Sequence, residues 1–216
     1  MLTIALPKGR IADETLELFK EIFGSSFSFE NRKLIMEDSG FRFLYVKNQD
    51  VPTYVERGAA DLGISGLDVL NEREYPIAYL LDLGIGKCDI IVGMKKGERL
   101  DPNKPKIKVA TKLENIARNY FASKAMDADI VKLNGSIELA PLIGLSDAIV
   151  DIMETGTTMR ENGLEPVATI MSSSAHLFAN QNSFVTRKKE ILDLKAKLKA
   201  AINKDKDYTD ISGINF

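Results

Sequence analysis

The sequence predicts an α/β protein of two lobes, each a mixed, mostly parallel sheet flanked by helices. Apolar runs of strand length alternate with amphipathic stretches of helix length from end to end. The chain has 216 residues, which suits one large domain or two small lobes and is short for an extended array. No internal repeat or Ser/Gly-rich linker separates the halves, so the boundaries follow the alternation alone. Lobe I is expected over residues 1–90, with 177–216 returning to it, and lobe II over 91–176. Strand ends from both lobes would share a crevice, where open α/β sheets place ligands.

Leu2 to Leu6 forms the first strand and stops at Pro7. Ile11, Thr15, Leu18, Phe19 and Ile22 then fall at helical spacing, with Asp13 and Glu14 in the first turn and Gly24 at the end. Phe41–Val46 is a strand, Asp50-Val-Pro-Thr reads as a capped start of a short helix closed by Gly58, and Asp61–Gly66 is a strand entering a glycine turn. Ile77–Leu83 and Cys88–Met94 are strands, and residues 95–106 form a polar loop. Lys108–Ala110 leads into Thr111-Lys-Leu-Glu114, a capping-box pattern whose helix uses Leu113, Ile116, Ala117, Tyr120 and Phe121. Asp129–Leu133, a short helix from Ser136, and Ala148–Met153 continue the alternation. His176 lies on a strand after a serine turn, and one last helix runs from Ser183 to about Asn203 with Phe184, Ile191, Leu194, Leu198 and Ile202 on one side.

Composition narrows the function. Hydrophobic residues are 44% and charged residues 28%, the balance of a globular chain with ample core. The 29 basic and 31 acidic side chains leave a formal charge of -2, so no global field favours nucleic acid or an anionic membrane, and an anionic ligand must be held locally. One cysteine, Cys88, read as a small core hydrophobe, and one histidine, His176, supply neither an internal disulfide nor a His/Cys metal cluster. With no export signal and no long apolar run, the cytoplasm is the expected compartment.

The segment richest in chemistry is Ala148-Ile-Val-Asp151-Ile-Met-Glu154-Thr155-Gly156-Thr157-Thr158, an apolar strand whose end turns acidic, then hydroxyl- and glycine-rich, then helical. Amides at a helix start lack internal partners, Gly156 permits close approach, and the three threonines add hydroxyls, which together suit a phosphate. Asp151 and Glu154 beside it can accept from sugar hydroxyls or hold Mg2+ through water. Locally, the same residues read equally well as a threonine cap. Gly63-Ile-Ser65-Gly66 approaches a nucleophile elbow, but the second glycine arrives one residue early and His176 is the only available base, which argues against a serine hydrolase.

Glu138, Gly144, Ser146, Ile149, Asp151, Thr155, Gly156, Thr158 and Met159 stand in a register that resembles the signature of the ATP phosphoribosyltransferases, which open histidine biosynthesis. Leu6-Pro-Lys8-Gly9-Arg10, Arg32-Lys-Leu-Ile35, Asp50-Val-Pro-Thr, Gly58–Gly66 and Gly135–Pro141 resemble further blocks of that family in the same order, covering nearly the whole chain. The resemblance implies lobes like those of type II periplasmic binding proteins, an active site in the inter-lobe cleft, and transfer of phosphoribosyl from phosphoribosyl pyrophosphate to N1 of ATP. The 155–158 turn would hold the 5-phosphate, Asp151 and Glu154 the ribose, and Arg10 and Arg32 the leaving pyrophosphate with Mg2+. Lys8, Gly9, Asp50, Ser65, Gly66 and Glu138 are weaker candidates for the ATP or pyrophosphate pocket. Since the chain ends soon after its last helix it resembles the short form, which implies a regulatory subunit similar to histidyl-tRNA synthetase in a hetero-octamer. Two rivals are a non-catalytic two-lobe binding protein and a phosphoribosyltransferase acting on a free base. The latter usually has two adjacent acidic residues before its turn, whereas Asp151 and Glu154 are separated here.

Overall fold

The computed structural model describes residues 1–25, 27–29 and 33–211, with side chains to residue 204. Along the chain run β1 (Leu2–Pro7), α1 (Arg10–Phe23), β2 (Ile35–Asp38), β3 (Phe41–Val46), α2 (Val51–Glu56), β4 (Leu62–Gly66), α3 (Leu67–Glu72), β5 (Ile77–Asp82), β6 (Cys88–Lys95), β7 (Ile107–Thr111), α4 (Glu114–Ser123), β8 (Ala128–Lys132), α5 (Leu139–Leu142), β9 (Ala148–Met153), α6 (Thr157–Glu161), β10 (Leu164–Ser173), β11 (Ala175–Asn180), α7 (Gln181–Thr186) and α8 (Lys188–Ile211). One unit comprises Met1–Leu70, Glu74–Gly86 and the chain from Ser174 onward; the other comprises Asn71–Arg73 and Lys87–Ser173. Crossings at 90 and 177 would cut β6 and β11, and a strand's ladder keeps it in one sheet along its length; besides the short excursion at 71–73, the chain passes between units at 86/87 and 173/174.

The first unit's sheet has the order β2-β3-β1-β4-β11-β5. β1 lies parallel to β3 and β4, while β11 runs antiparallel to both β4 and β5. Alternation along β1 and β4 sends Leu2, Ile4, Leu6, Leu62 and Ile64 to one face, where α1 and α8 cover them. Phe19 of α1 is fully buried there, with ring centroids 5.2 Å from both Phe41 and Phe43. On the other face Gly63 is a glycine for lack of room: a Cβ would sit 2.6 Å from the Phe178 ring and 2.7 Å from Val55. Asp61, just before β4, ties the unit's ends together. Its Oδ2 accepts from the Thr3 amide and from Arg187, each at 2.8 Å, and its Oδ1 accepts from the Ser183 hydroxyl at 2.8 Å.

That carboxylate explains a departure from the single last helix expected. Asn180 caps α7 by accepting from the Ser183 amide, and Arg187 leaves helical geometry with φ -121°, its guanidinium turned toward Asp61, before α8 begins.

The second unit's sheet has the order β10-β6-β9-β7-β8. β9 and β8 flank β7 in parallel, and β6 runs antiparallel to β9 and β10. Ala148 and Val150 face α4, with Ile116 and Phe121, while Ile149 faces α5 and α6, with Ala140 and Met159. β9 is therefore covered on both faces, the setting of a continuous apolar run.

Several local expectations change. β2, α3 and β10 had no sequence forecast; β10 is an edge strand whose Pro166 sits at a register shift, which masks its pattern. Thr111 is not a capping-box residue: α4 is capped at Leu113 without a side-chain bond, and the Glu72 carboxylate accepts from the Asn115 and Ile116 amides at 2.9 and 3.1 Å. Asp50 makes no cap bond to α2, because it closes a tight 3-10 turn at Asn48–Asp50 and is itself in helical geometry. Ser65 and Gly66 end β4 rather than forming a turn, since α3 starts at Leu67. Cys88 is half-exposed at the start of β6 and not a core residue.

Two carboxylate anchors, Asp61 and, just before β9, Asp147, are open to direct test. Asp61→Ala leaves Arg187 without its most enclosed partner and is expected to lower the unfolding free energy by about 2–3 kcal/mol, read by urea denaturation. Asp147 resists charging through burial, but hydrogen bonds from Lys104 and the Lys108 amide outweigh that and hold its carboxyl below the ordinary value of 3.8. A depressed folded-state value gives stability that is present above the unfolded value and lost as pH falls through the folded one. Asp147→Asn should therefore lose less stability than the parent between about pH 5 and pH 3, in paired urea titrations.

Candidate functional site

β9 is fully buried through Val150 and partly buried from Asp151 to Met153, and Asp151 is its one charged residue. Asp151 lies two residues beyond Ile149 and so shares the α5/α6 face, at the carboxyl end of the strand. Its side chain is 15% exposed, which leaves the carboxylate reachable but held. The chain then turns through Gly156 at φ 70°, a left-handed conformation that an L side chain resists.

Asp151, Glu154, Thr155, Gly156, Thr157 and Thr158 line one cavity of about 290 Å³, which Glu138 also borders. Sequence reasoning grouped these residues by spacing, and the fold puts them on a common wall. The threonine cap does not form as a cap of α6: Gly156 is the capping residue, and no side-chain cap bond is made. Thr155 and Thr157 instead face each other with hydroxyl oxygens 3.1 Å apart, and the Thr157 amide reaches the Thr155 hydroxyl only at 3.4 Å. α6 has five residues, so its summed dipole is small. An oxyanion here would be held by amides and hydroxyls, reinforced by a nearby cation.

Two such cations escaped the sequence reading. Arg160, in the last turn of α6, points back to the Thr157 hydroxyl, with Nη2 3.4 Å from Oγ1. Lys112, after β7, brings Nζ to 3.4 Å from Asp151 Oδ1. Arg160 was legible in principle, since i to i+3 spacing returns a helical side chain over the preceding turn. Lys112 was not, because its meeting with Asp151 depends on the pairing of β7 with β9, which puts Thr111 opposite Val150.

In the first unit, Lys8 and Gly9 follow β1 and meet Tyr45 of β3. The Gly9 amide donates to the Tyr45 hydroxyl at 3.0 Å, and the Lys8 ammonium lies 5.8 Å from the ring centroid. Arg10 opens α1, where the helix N-terminus disfavours a cation, and Glu14 one turn on offsets this at 3.7 Å. Ser65 is fully buried and donates to Asn48 Oδ1 at 2.8 Å, which occupies its hydroxyl proton. Gly66 is buried and Asp50 exposed. Arg32 lies outside the described residues. His176 faces Ser65 and Asp82 across the ladders, and its Nδ1 is 3.1 Å from the Ser174 carbonyl oxygen. A larger concavity of about 1020 Å³ runs along α1 past Asp13, Glu14, Glu17, Glu21, Phe29 and Tyr45. Lys20 also lines it, and carboxylates line both cavities; what the larger one lacks among its described residues is a turn of hydroxyls and amides such as that at 155–158, so size alone does not mark the site.

No group of three or more His, Cys, Asp or Glu side chains among the described residues is placed to hold a metal ion. Asp151 and Glu154 still offer the hard oxygen donors that Mg2+ takes one or two at a time, when substrate phosphates and water complete its shell.

Comparison with known proteins gives concordant results. A family model described as ATP phosphoribosyltransferase matches residues 47–200. The chain is 64% identical over 202 residues to the ATP phosphoribosyltransferase of Sulfurovum sp. (strain NBC37-1), covering 94% of this chain and 98% of that one. It is 62% identical to the enzyme of the same name from Campylobacter curvus, with 94% and 99% covered. Among solved structures, the ATP phosphoribosyl transferase (HisG:HisZ) complex from Thermotoga maritima matches with a TM-score of 0.82 and 34% identity, over 94% of this chain and 100% of that one. The periplasmic aliphatic sulphonate binding protein SsuA from Escherichia coli matches with a TM-score of 0.63 at 12% identity, over 98% and 71%, a likeness of fold alone.

Gly156→Val tests the turn. A Cβ there would lie 3.1 Å from both Arg160 Nη1 and Met153 Sδ, on a backbone that costs roughly 1–2 kcal/mol for an L residue. Binding of ribose 5-phosphate, followed by calorimetry, should weaken about tenfold or more while the fold persists.

Proposed function

The chain belongs to the ATP phosphoribosyltransferase family, and from that premise we propose how its residues divide the reaction that opens histidine biosynthesis. The reaction moves phosphoribosyl from phosphoribosyl pyrophosphate to N1 of the ATP adenine and releases pyrophosphate. The observation that carries the proposal is the cavity beyond β9, where two carboxylates and three threonines meet around a left-handed glycine. In this reading the amides and hydroxyls of 155–158 hold the 5-phosphate, with Arg160 behind them. Asp151 and Glu154 accept from the ribose hydroxyls, which fixes the anomeric carbon and turns a two-body encounter into an aligned one.

As the bond from the anomeric carbon to oxygen breaks, negative charge accumulates on a leaving group already rich in it. Arg10 and Arg32 neutralise that charge through planar guanidinium forks, with Lys8 as a point charge. The family uses metal ions, and Mg2+ is the ion proposed here; Asp151 and Glu154 are the residues that would hold it, and its charge would be shared with the departing pyrophosphate. Gly9, Asp50, Ser65, Gly66 and Glu138 are weaker candidates for the remaining nucleotide contacts. For Ser65 the buried bond to Asn48 makes an indirect role the better assignment.

The proposal extends to a partner. A regulatory subunit resembling histidyl-tRNA synthetase would assemble with this chain in a hetero-octamer, and the Thermotoga maritima complex, which joins HisG to HisZ, supports such a pairing. No helix among the described residues is long and apolar enough to cross a membrane. A cytoplasmic setting, where ATP is available, belongs to the same reading.

Purified protein supplied with phosphoribosyl pyrophosphate, ATP and Mg2+ should form phosphoribosyl-ATP, with the regulatory subunit present if not without it. Absence of product in both preparations would defeat the reading, and tight capture of a small solute without turnover would favour a binding protein. Arg10→Ala is expected to lower kcat about 10- to 100-fold with an unchanged unfolding midpoint, the loss of one charge-assisted contact made in the transition state. Unaltered turnover would remove Arg10 from the leaving-group role.

A further inference from the structure

Asp151 is anchored asymmetrically. Its Oδ1 accepts from the Ile152 amide at 2.8 Å and lies 3.4 Å from Lys112 Nζ, whereas nothing among the described residues bonds its Oδ2. Lys112 does not border the cavity that Asp151 lines, so it reaches the carboxylate from the β7 side. The residue before it braces the same place. The fully buried Thr111 hydroxyl donates to the Val150 carbonyl at 2.6 Å and accepts from the Leu113 amide at 2.8 Å. Thr111 thus fixes the backbone just ahead of Asp151, and Lys112 fixes its charge.

We propose that Lys112 is a positioning residue that locks one oxygen of Asp151 and so presents the other to the ribose diol of the phosphoribosyl donor. This deepens the functional reading above and rests on it. An ionised carboxylate has several acceptor positions and rotates about χ2. With one oxygen tied by an amide and an ammonium, the other keeps a single direction, and the ordering entropy is met by the fold before substrate arrives. Lys112 adds a second benefit. Asp151, Glu154 and Glu138 put three carboxylates beside a site for a polyanion, and the ammonium offsets one of them.

An ordinary half-buried ion pair would contribute to stability without regard to sugar chemistry, and the same sheet supplies that control. Lys104 and Asp147 lie 2.7 Å apart, next to β9 but away from the cavity, and are somewhat more exposed than Lys112 and Asp151. Binding to the full-length protein would be measured by calorimetry for phosphoribosyl pyrophosphate with Mg2+, and for ribose 5-phosphate against 2-deoxyribose 5-phosphate. Lys112→Met should weaken the donor about tenfold or more, raise its KM with little change in the KM for ATP, and abolish most of the preference for the ribose form. Lys104→Met should leave all three intact even where it lowers the unfolding midpoint. Lys112→Arg should restore the preference, and Lys112→Gln gives the same reading if the methionine variant folds poorly. Parent-like affinity and sugar preference in Lys112→Met, or in the glutamine variant used in its place, would overturn the role of Lys112 alone. A parent protein that fails to bind the donor at all would instead overturn the functional reading beneath it.

Discussion

A strand covered on both faces has no place for charge where it is fully buried, and β9 admits its one carboxylate only where burial becomes partial. Ala148, Ile149 and Val150 fill the interior on alternating sides, and Asp151 comes at the first position of β9 that is only partly buried, with Ile152 and Met153 beyond it still packed against the two clusters. The burial that stabilises the sheet therefore also dictates where a carboxylate stands. Because β7 is the parallel neighbour of β9, its own end arrives at the same level and brings Thr111 and Lys112 with it. The neighbouring strand thus supplies both a buried hydroxyl brace and a counter-charge from two consecutive residues.

The turn beyond β9 works by different physics from a long helix dipole. Five residues of α6 sum to a small macrodipole, and the left-handed Gly156 frees the backbone to bend sharply while Thr155 and Thr157 keep each other close. Arg160 then returns over the turn from its own helix. The arrangement puts carboxylate acceptors beside hydroxyl and amide donors within one cavity of about 290 Å³, small beside the concavity along α1. Both linings are acidic, and the hydroxyls and amides of the turn at 155–158, rather than volume or charge, set the smaller cavity apart.

Legibility differed by the range of the interaction. The strands and long helices were readable because period 2 and period 3.6 are local properties, as in Leu2–Leu6 or the Ile191, Leu194, Leu198 stripe. Capping was less readable. Thr111 and Glu114 match a capping box in spacing, yet Thr111 bonds Val150 and Glu72 takes the helix amides, since partners distant in sequence outcompeted the local one. β10 was hidden because an edge strand with Pro166 at a bulge lacks the alternation that a half-buried strand displays. The break between α7 and α8 depends on Asp61, more than 120 residues earlier.

By itself the sequence determined the α/β class, the apolar-to-acidic switch at Asp151 and the hydroxyl-glycine turn that follows, because each is written in consecutive residues. It also carried the family register, spread over most of the chain. Tertiary structure alone decided which groups stand behind those residues: Lys112 behind Asp151, Asn48 behind Ser65, and Arg187 with Thr3 and Ser183 around Asp61. The physical reason is that a hydrogen bond or ion pair needs contact within a few ångströms. Only the pairing of strands and the packing of helices on them bring such distant positions that close.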